Sequence, residues 1–126
     1  MSTASARALA LDIAERIEGL GTVGVRRFFG GAALVADGVQ FAFVMKGSLY
    51  LRADEASKAD LEAMGASPFS YAGAAKTVTV ASYYEAPDEV LVDAGLLRDW
   101  AGRAHRAARA ARDSGRGRAA ARRRRA

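Results

Sequence analysis

Among its 126 residues the chain has no cysteine, two prolines, one histidine and one tryptophan. Without cysteine there can be no disulfide, thiolate nucleophile or thiolate metal ligand, so a hydrophobic core must hold the fold. His105 has no second imidazole with which to complete a metal site or proton relay. Long apolar runs are also missing: Gly30–Ala36 and Val39–Met45 fall far short of the ~20 residues that cross a bilayer. The N-terminus lacks the charged, apolar and cleavage regions of a secretory signal. A cytoplasmic protein with no membrane partner is expected.

Length allows one small domain, and charge divides the chain. Residues 1–97 hold 8 basic and 12 acidic side chains, a net of −4, whereas residues 98–126 hold 11 and 2, a net of +9. The overall charge of +5 therefore describes the tail, not a basic folded surface. Alanine supplies 30 residues, and arginine outnumbers lysine 16 to 3.

Leu9, Ile13 and Leu20, with Ala6 and Ile17 at the stripe's edge, have helical spacing. Gly19, Gly21 and Gly24 end that helix. Beyond Val25–Gly31 the period changes to two. Ala33–Ala36 and Val39–Met45 flank Asp37-Gly38, the pair that suits a tight hairpin turn. Strict alternation puts Val39, Phe41, Phe43 and Met45 on one face, with Leu49 or Leu51 and Val78 or Val80 in the same layer and Trp100 closing it. Ser48–Arg52 reads as the next strand, and Asp54 as the cap of a helix over Glu55–Met64 ended by Gly65. Pro68-Phe69 and the Gly73 region read as a loop, and Lys76–Tyr84 as a strand. Pro87 opens a short helix over 88–92. The last helix runs from Leu96 to about Arg112 with an alanine stripe below Leu97 and Trp100, and Ser114–Arg118 breaks it. The expectation is an α+β domain over 1–112, with an antiparallel sheet of four or five strands flanked by N- and C-terminal helices, and a disordered arginine-rich tail over 113–126.

Phe28-Phe29-Gly30-Gly31, Leu34, Asp37-Gly38, Phe41–Val44, Leu49–Asp54, Pro68–Tyr71, Lys76–Val80, Tyr83–Pro87 and Leu97–Ala101 together resemble the N-terminal domain of the TfoX/Sxy competence regulators. The resemblance spans about Leu9 to Arg106. It implies a small α+β domain that dimerises. In full-length relatives a helical second domain follows, and the protein regulates genes for DNA uptake with the cyclic AMP receptor protein; here an arginine tail follows instead.

Few residues invite chemistry. His105 sits at the edge of the last helix's stripe, as a surface or partly packed residue. Asp54 and Glu55 suit a helix cap and first turn. Tyr83-Tyr84-Glu85 at a strand end reads as one packed and one rim tyrosine, with a binding cleft as the alternative. Phe28-Phe29-Gly30-Gly31 lacks the continuation of a phosphate-binding loop, so its glycines read as turn residues. No catalytic, cofactor-binding or metal site emerges.

Two function classes stay open. One is a non-enzymatic regulatory or interaction domain, a homodimer with a protein partner in transcription or competence regulation, offering Arg26, Arg27, Tyr83 and Tyr84 as its surface. The other is a small basic protein that binds nucleic acid without sequence preference through Arg116, Arg118, Arg122, Arg123, Arg124 and Arg125, because phosphate contacts give affinity but do not read bases. Capture of a partner that survives nuclease treatment separates them.

Overall fold

The computed structural model describes the backbone of residues 3–17 and 19–125 and the side chains of 5–17 and 19–115. Helix α1 (Thr3–Arg16) is followed by strands β1 (Gly24–Phe28), β2 (Gly31–Ala36), β3 (Val39–Met45) and β4 (Ser48–Arg52). Helix α2 (Glu55–Ala63) and strand β5 (Pro68–Ala72) precede β6 (Thr77–Glu85), and helices α3 (Asp88–Val92) and α4 (Ala94–Arg125) close the chain. The strands form one antiparallel sheet in the order β1-β2-β3-β4-β6-β5.

The sheet therefore has six strands, not four or five. The two extra strands are its edges, β1 and β5. Edge strands make half the ladder bonds of inner ones and bury less, so β1 carries Arg26-Arg27 and β5 starts with a proline, features that mask strand character in a sequence.

Three successive hairpins share one turn geometry. Phe29-Gly30, Asp37-Gly38 and Lys46-Gly47 all have positive φ at both positions, as the twist of paired strands favours. The second glycine of Phe28-Phe29-Gly30-Gly31 is needed for a different reason, since a Cβ on Gly31 would lie 2.2 Å from the Val44 carbonyl oxygen. Turn and close approach thus account for both glycines.

Helices α1 and α4 cover one face of the sheet, α1 over β1 and β2, α4 over β3 and β4. Ala6, Ala10, Ile13 and Ile17 of α1 are buried there with Leu34, Phe41, Val44, Leu49 and Leu51 from the sheet and Leu97, Trp100, Ala101 and Ala104 from α4. Strict alternation fails in β3. Leu34 pairs with Ala42 but Val35 pairs with Gln40, leaving Phe41 as the extra residue of a bulge. Phe41 consequently turns to the helices, its ring 5.7 Å from His105 (82°), while Phe43 faces the other way among Phe28, Tyr50, Phe69 and Tyr83. The single layer expected for Phe41, Phe43, Val80 and Trp100 is two layers on opposite sides of the sheet.

Caps follow the sequence closely. The Asp54 carboxylate accepts from the Ser57 amide at 2.8 Å and the Ser57 hydroxyl at 2.9 Å, and Asp93 accepts from the Leu96 amide at 3.0 Å. Helix α4 departs from expectation: it continues through Ser114–Arg118 to Arg125. Arg112 donates to the Asp37 carbonyl at 3.2 Å, fastening the helix to the β2–β3 turn just before the expected break. His105, expected at the surface or partly packed, is buried, and its Nε2–H donates to the Ala36 carbonyl at 3.1 Å. Among the described residues, no helix is long and apolar enough to cross a membrane.

Candidate functional site

The face of the sheet opposite the helices is built from rings. Register places Arg26, Ala33, Phe43, Tyr50 and Glu85 in one row across β1, β2, β3, β4 and β6. Phe43 is its centre, only 1% exposed. Its ring lies 4.9 Å from Phe28, 5.0 Å from Tyr50, 5.0 Å from Phe69 and 4.9 Å from Tyr83. Ala33, its cross-strand neighbour on β2, and Gly31, two residues back on the same strand, are small, so rings from both edges can close over it.

Between these rings lies a cavity of about 420 Å³, lined by Phe28, Phe29, Phe43, Met45, Phe69, Tyr71, Val80 and Tyr83. No Asp, Glu, Lys, Arg or His is among its lining residues. Its walls differ from its floor: Phe29 is 87% exposed and Tyr71 47%. Polar groups gather at the Tyr83 end, where the hydroxyl meets the Gln40 amide group at 3.5 Å and the Arg52 guanidinium lies 5.7 Å from the ring centre. One row along, the Glu85 carboxylate accepts from Ser48 at 3.0 Å. The Tyr50 phenol is pushed up by burial and by Glu85.

The residues singled out in the sequence are divided by this geometry. Tyr83 and Arg26 belong to the aromatic face. Tyr84 is buried on the helix face, where burial and the Glu62 carboxylate push its phenol up. Arg27, which pairs with Ala32, alternates away from Arg26. The side chains of Arg116, Arg118 and Arg122–Arg125 lie outside the described ones. Asp54, with its carboxyl held below the usual range by the Ser57 amide and hydroxyl, is a helix cap.

Sequence reasoning missed Phe28, Phe29, Phe43, Met45, Phe69, Tyr71 and Val80 as members of one site. Only Phe29 carried a local signal, as a bulky ring in a Phe-Gly pair where a tight turn favours Asn, Asp or Gly. The others meet because the sheet bends, which no spacing reports.

Among the described residues, no group of three or more His, Asp or Glu side chains could hold a metal ion. No curated protein is significantly similar to the chain. A family model does match: residues 15–108, most of the folded part and all six strands, fit the TfoX N-terminal domain, and the chain belongs to that family.

Proposed function

We propose that this domain is a non-enzymatic regulatory module working through protein contacts in transcription or competence regulation, and that two copies associate along β5. Family membership supports the non-catalytic, regulatory part of that reading. The observation that carries the self-association is the contrast between the two sheet edges. Strand β1 exposes Arg26 and Arg27, like charges that resist pairing with a copy of themselves. Strand β5, Pro-Phe-Ser-Tyr-Ala, has no charge, and Ser70, Tyr71 and Ala72 are exposed. Antiparallel pairing of β5 with its copy satisfies edge amides and carbonyls by a two-fold operation.

Sedimentation equilibrium over a wide concentration range is expected to return about twice 13.2 kDa at its upper end. Ser70→Lys, which places two ammonium groups at the two-fold seam, is expected to restore the monomer mass. A monomer at every concentration overturns the dimer. A protein partner retained from native lysate after nuclease treatment supports the regulatory reading.

The continuation of α4 to Arg125 favours a second reading, in which the arginines from Arg116 onward are presented on one helical extension and contact nucleic acid phosphates. Fluorescence anisotropy on two unrelated duplexes, with the full chain and a 1–112 truncation, tests it. Equal, salt-sensitive binding of both duplexes, lost on truncation, is the expected result; binding retained by the truncation overturns it.

A further inference from the structure

Strand β6 has two halves that are held differently. Tyr83, Tyr84 and Glu85 pair with Arg52, Leu51 and Tyr50 of β4, and the Ala53 amide donates to the Ser82 carbonyl at 2.9 Å. There β4 ends. Among the described residues, no backbone hydrogen bond joins residues 77–81 to any strand but β5. Residues 69–72 and 77–80 therefore form a two-stranded arm that leaves the sheet, closed at its tip by the Gly73 amide, which donates to the Lys76 carbonyl at 2.8 Å.

The arm is interrupted at its root and held down by side chains. Pro68 pairs with Tyr84 but Phe69 with Val80, so Ala81, Ser82 and Tyr83 have no partner on β5, and Pro68 has no amide hydrogen to give the ladder. The last backbone bonds to the body are those at Ser82 and at the Ser67 carbonyl, which accepts from the Glu85 amide at 3.0 Å. Beyond them the Phe69 ring meets Phe43 at 5.0 Å and Tyr50 at 4.9 Å, edge to face in both cases. Tyr71 and Val80 line the cavity of about 420 Å³, whose other wall of Phe28, Phe29, Phe43, Met45 and Tyr83 belongs to the body. An arm lying over a cavity lacks the close packing that joins the sheet to its helices. Two strands alone are marginal in water, and local opening takes the least buried segments first.

We propose that residues 69–80 are a hinged flap that opens as one unit, bending at Pro68/Phe69 and at Ala81, and that Phe69 latches it shut on Phe43. Opening lifts the ring that covers one side of Phe43 and parts the two walls of the cavity. The flap is independent of β5 pairing with a second copy, which slows its opening by mass action without making the hinge.

Hydrogen exchange read by mass spectrometry tests the proposal, on the full chain diluted until sedimentation returns 13.2 kDa. Overlapping fragments of 69–80 are expected to exchange at a common rate, about 100-fold or more faster than those of β3 and β4. Ile13→Val, in the helix-face core and far from the arm, is expected to speed β3 and β4 about fivefold by lowering global stability while leaving the arm's rate unchanged. Phe69→Ala should speed the arm about tenfold, and Phe69→Leu, which keeps bulk without a ring edge, by less. Arm exchange in step with β3 and β4, or accelerated equally by Ile13→Val, overturns the flap, because the arm then opens only on global unfolding. Rates that climb steadily from the root towards Gly73 overturn it as well, as fraying of the tip. So do an arm with no protection at all, which has no closed state, and an arm rate indifferent to both Phe69 variants.

Discussion

The rings of Phe43 and Phe69 meet edge to face, with centroids 5.0 Å apart and planes at 86°, although β4 and β6 separate their strands in the sheet. Three strand spacings would hold them roughly 14 Å apart across a flat sheet. The sheet must therefore coil around Phe43, and the register shifts at Leu34/Val35 and Pro68/Phe69 supply the bends. Phe28 reaches the same ring from the opposite edge.

Because the β3 bulge separates Phe41 from Phe43, the two respond differently to truncation. Each replacement by Ala should cost about 3 to 5 kcal/mol in urea denaturation. Phe41→Ala is expected to shift Trp100 emission, since both belong to the helix-face core. Phe43→Ala should instead alter the near-ultraviolet dichroism of Tyr50 and Tyr83. An equal Trp100 shift from both variants would restore the single layer.

The hairpin at Phe29-Gly30-Gly31 makes two opposed predictions. Phe29→Asn should raise stability by about 0.5 to 1 kcal/mol by relieving the left-handed phenylalanine. Gly31→Ala should lower it by about 2 kcal/mol or more, because the backbone carbonyl of Val44 has to move away. Thermal melts of the two variants read both signs directly.

Trp100 fastens α4 to the core, only 8% exposed, beneath the Arg103 guanidinium at 4.3 Å; Arg103 in turn pairs with Asp60 of α2 at 2.9 Å. Trp100→Ala should remove about 3 to 5 kcal/mol, enough to unfold most molecules of a domain this size at room temperature by circular dichroism. Arg103→Ala, which loses a half-exposed pair and a ring contact, should cost only about 1 kcal/mol. An unchanged melt for Trp100→Ala would mean that α4 is dispensable to the core.

Alkaline and acid limbs of stability have separate sources. The Tyr50 and Tyr84 phenols are pushed up in the fold, so the folded state holds their protons more strongly. Stability is then lost as pH rises from about 10 through the folded values. Urea midpoints between about pH 9 and pH 11 should fall less steeply in Tyr50→Phe than in the native chain. Asp54 has the opposite sign: its lowered carboxyl contributes stability above about pH 4 that disappears as pH falls through the folded value. Asp54→Ala should cost about 1 kcal/mol at neutral pH and little in strong acid.

What was legible in the sequence was local. The spacing of Ile13 and Ile17, the Asp37-Gly38 turn, the Asp54 cap, the β-branched run of β6 and Pro87 before α3 each express a preference satisfied within a few residues, and each element is where that preference puts it. The set of motifs from Phe28 to Ala101 likewise carried the family.

Tertiary structure decided the rest. Strands β1 and β5 are strands because β2 and β6 offer them hydrogen-bonding partners, not because Arg26-Arg27 or Pro68 favours extension. Which face Phe41 takes depends on a bulge that exists only once β2 and β3 are paired, since one extra residue reverses the alternation beyond it. His105 is buried because α4 crosses the Ala36 carbonyl, and α4 passes its expected end where Arg112 reaches Asp37. The aromatic cavity is the furthest from sequence: its walls come from β1, β3, β5 and β6 and meet only when the sheet coils, a property of six paired strands and of no single one.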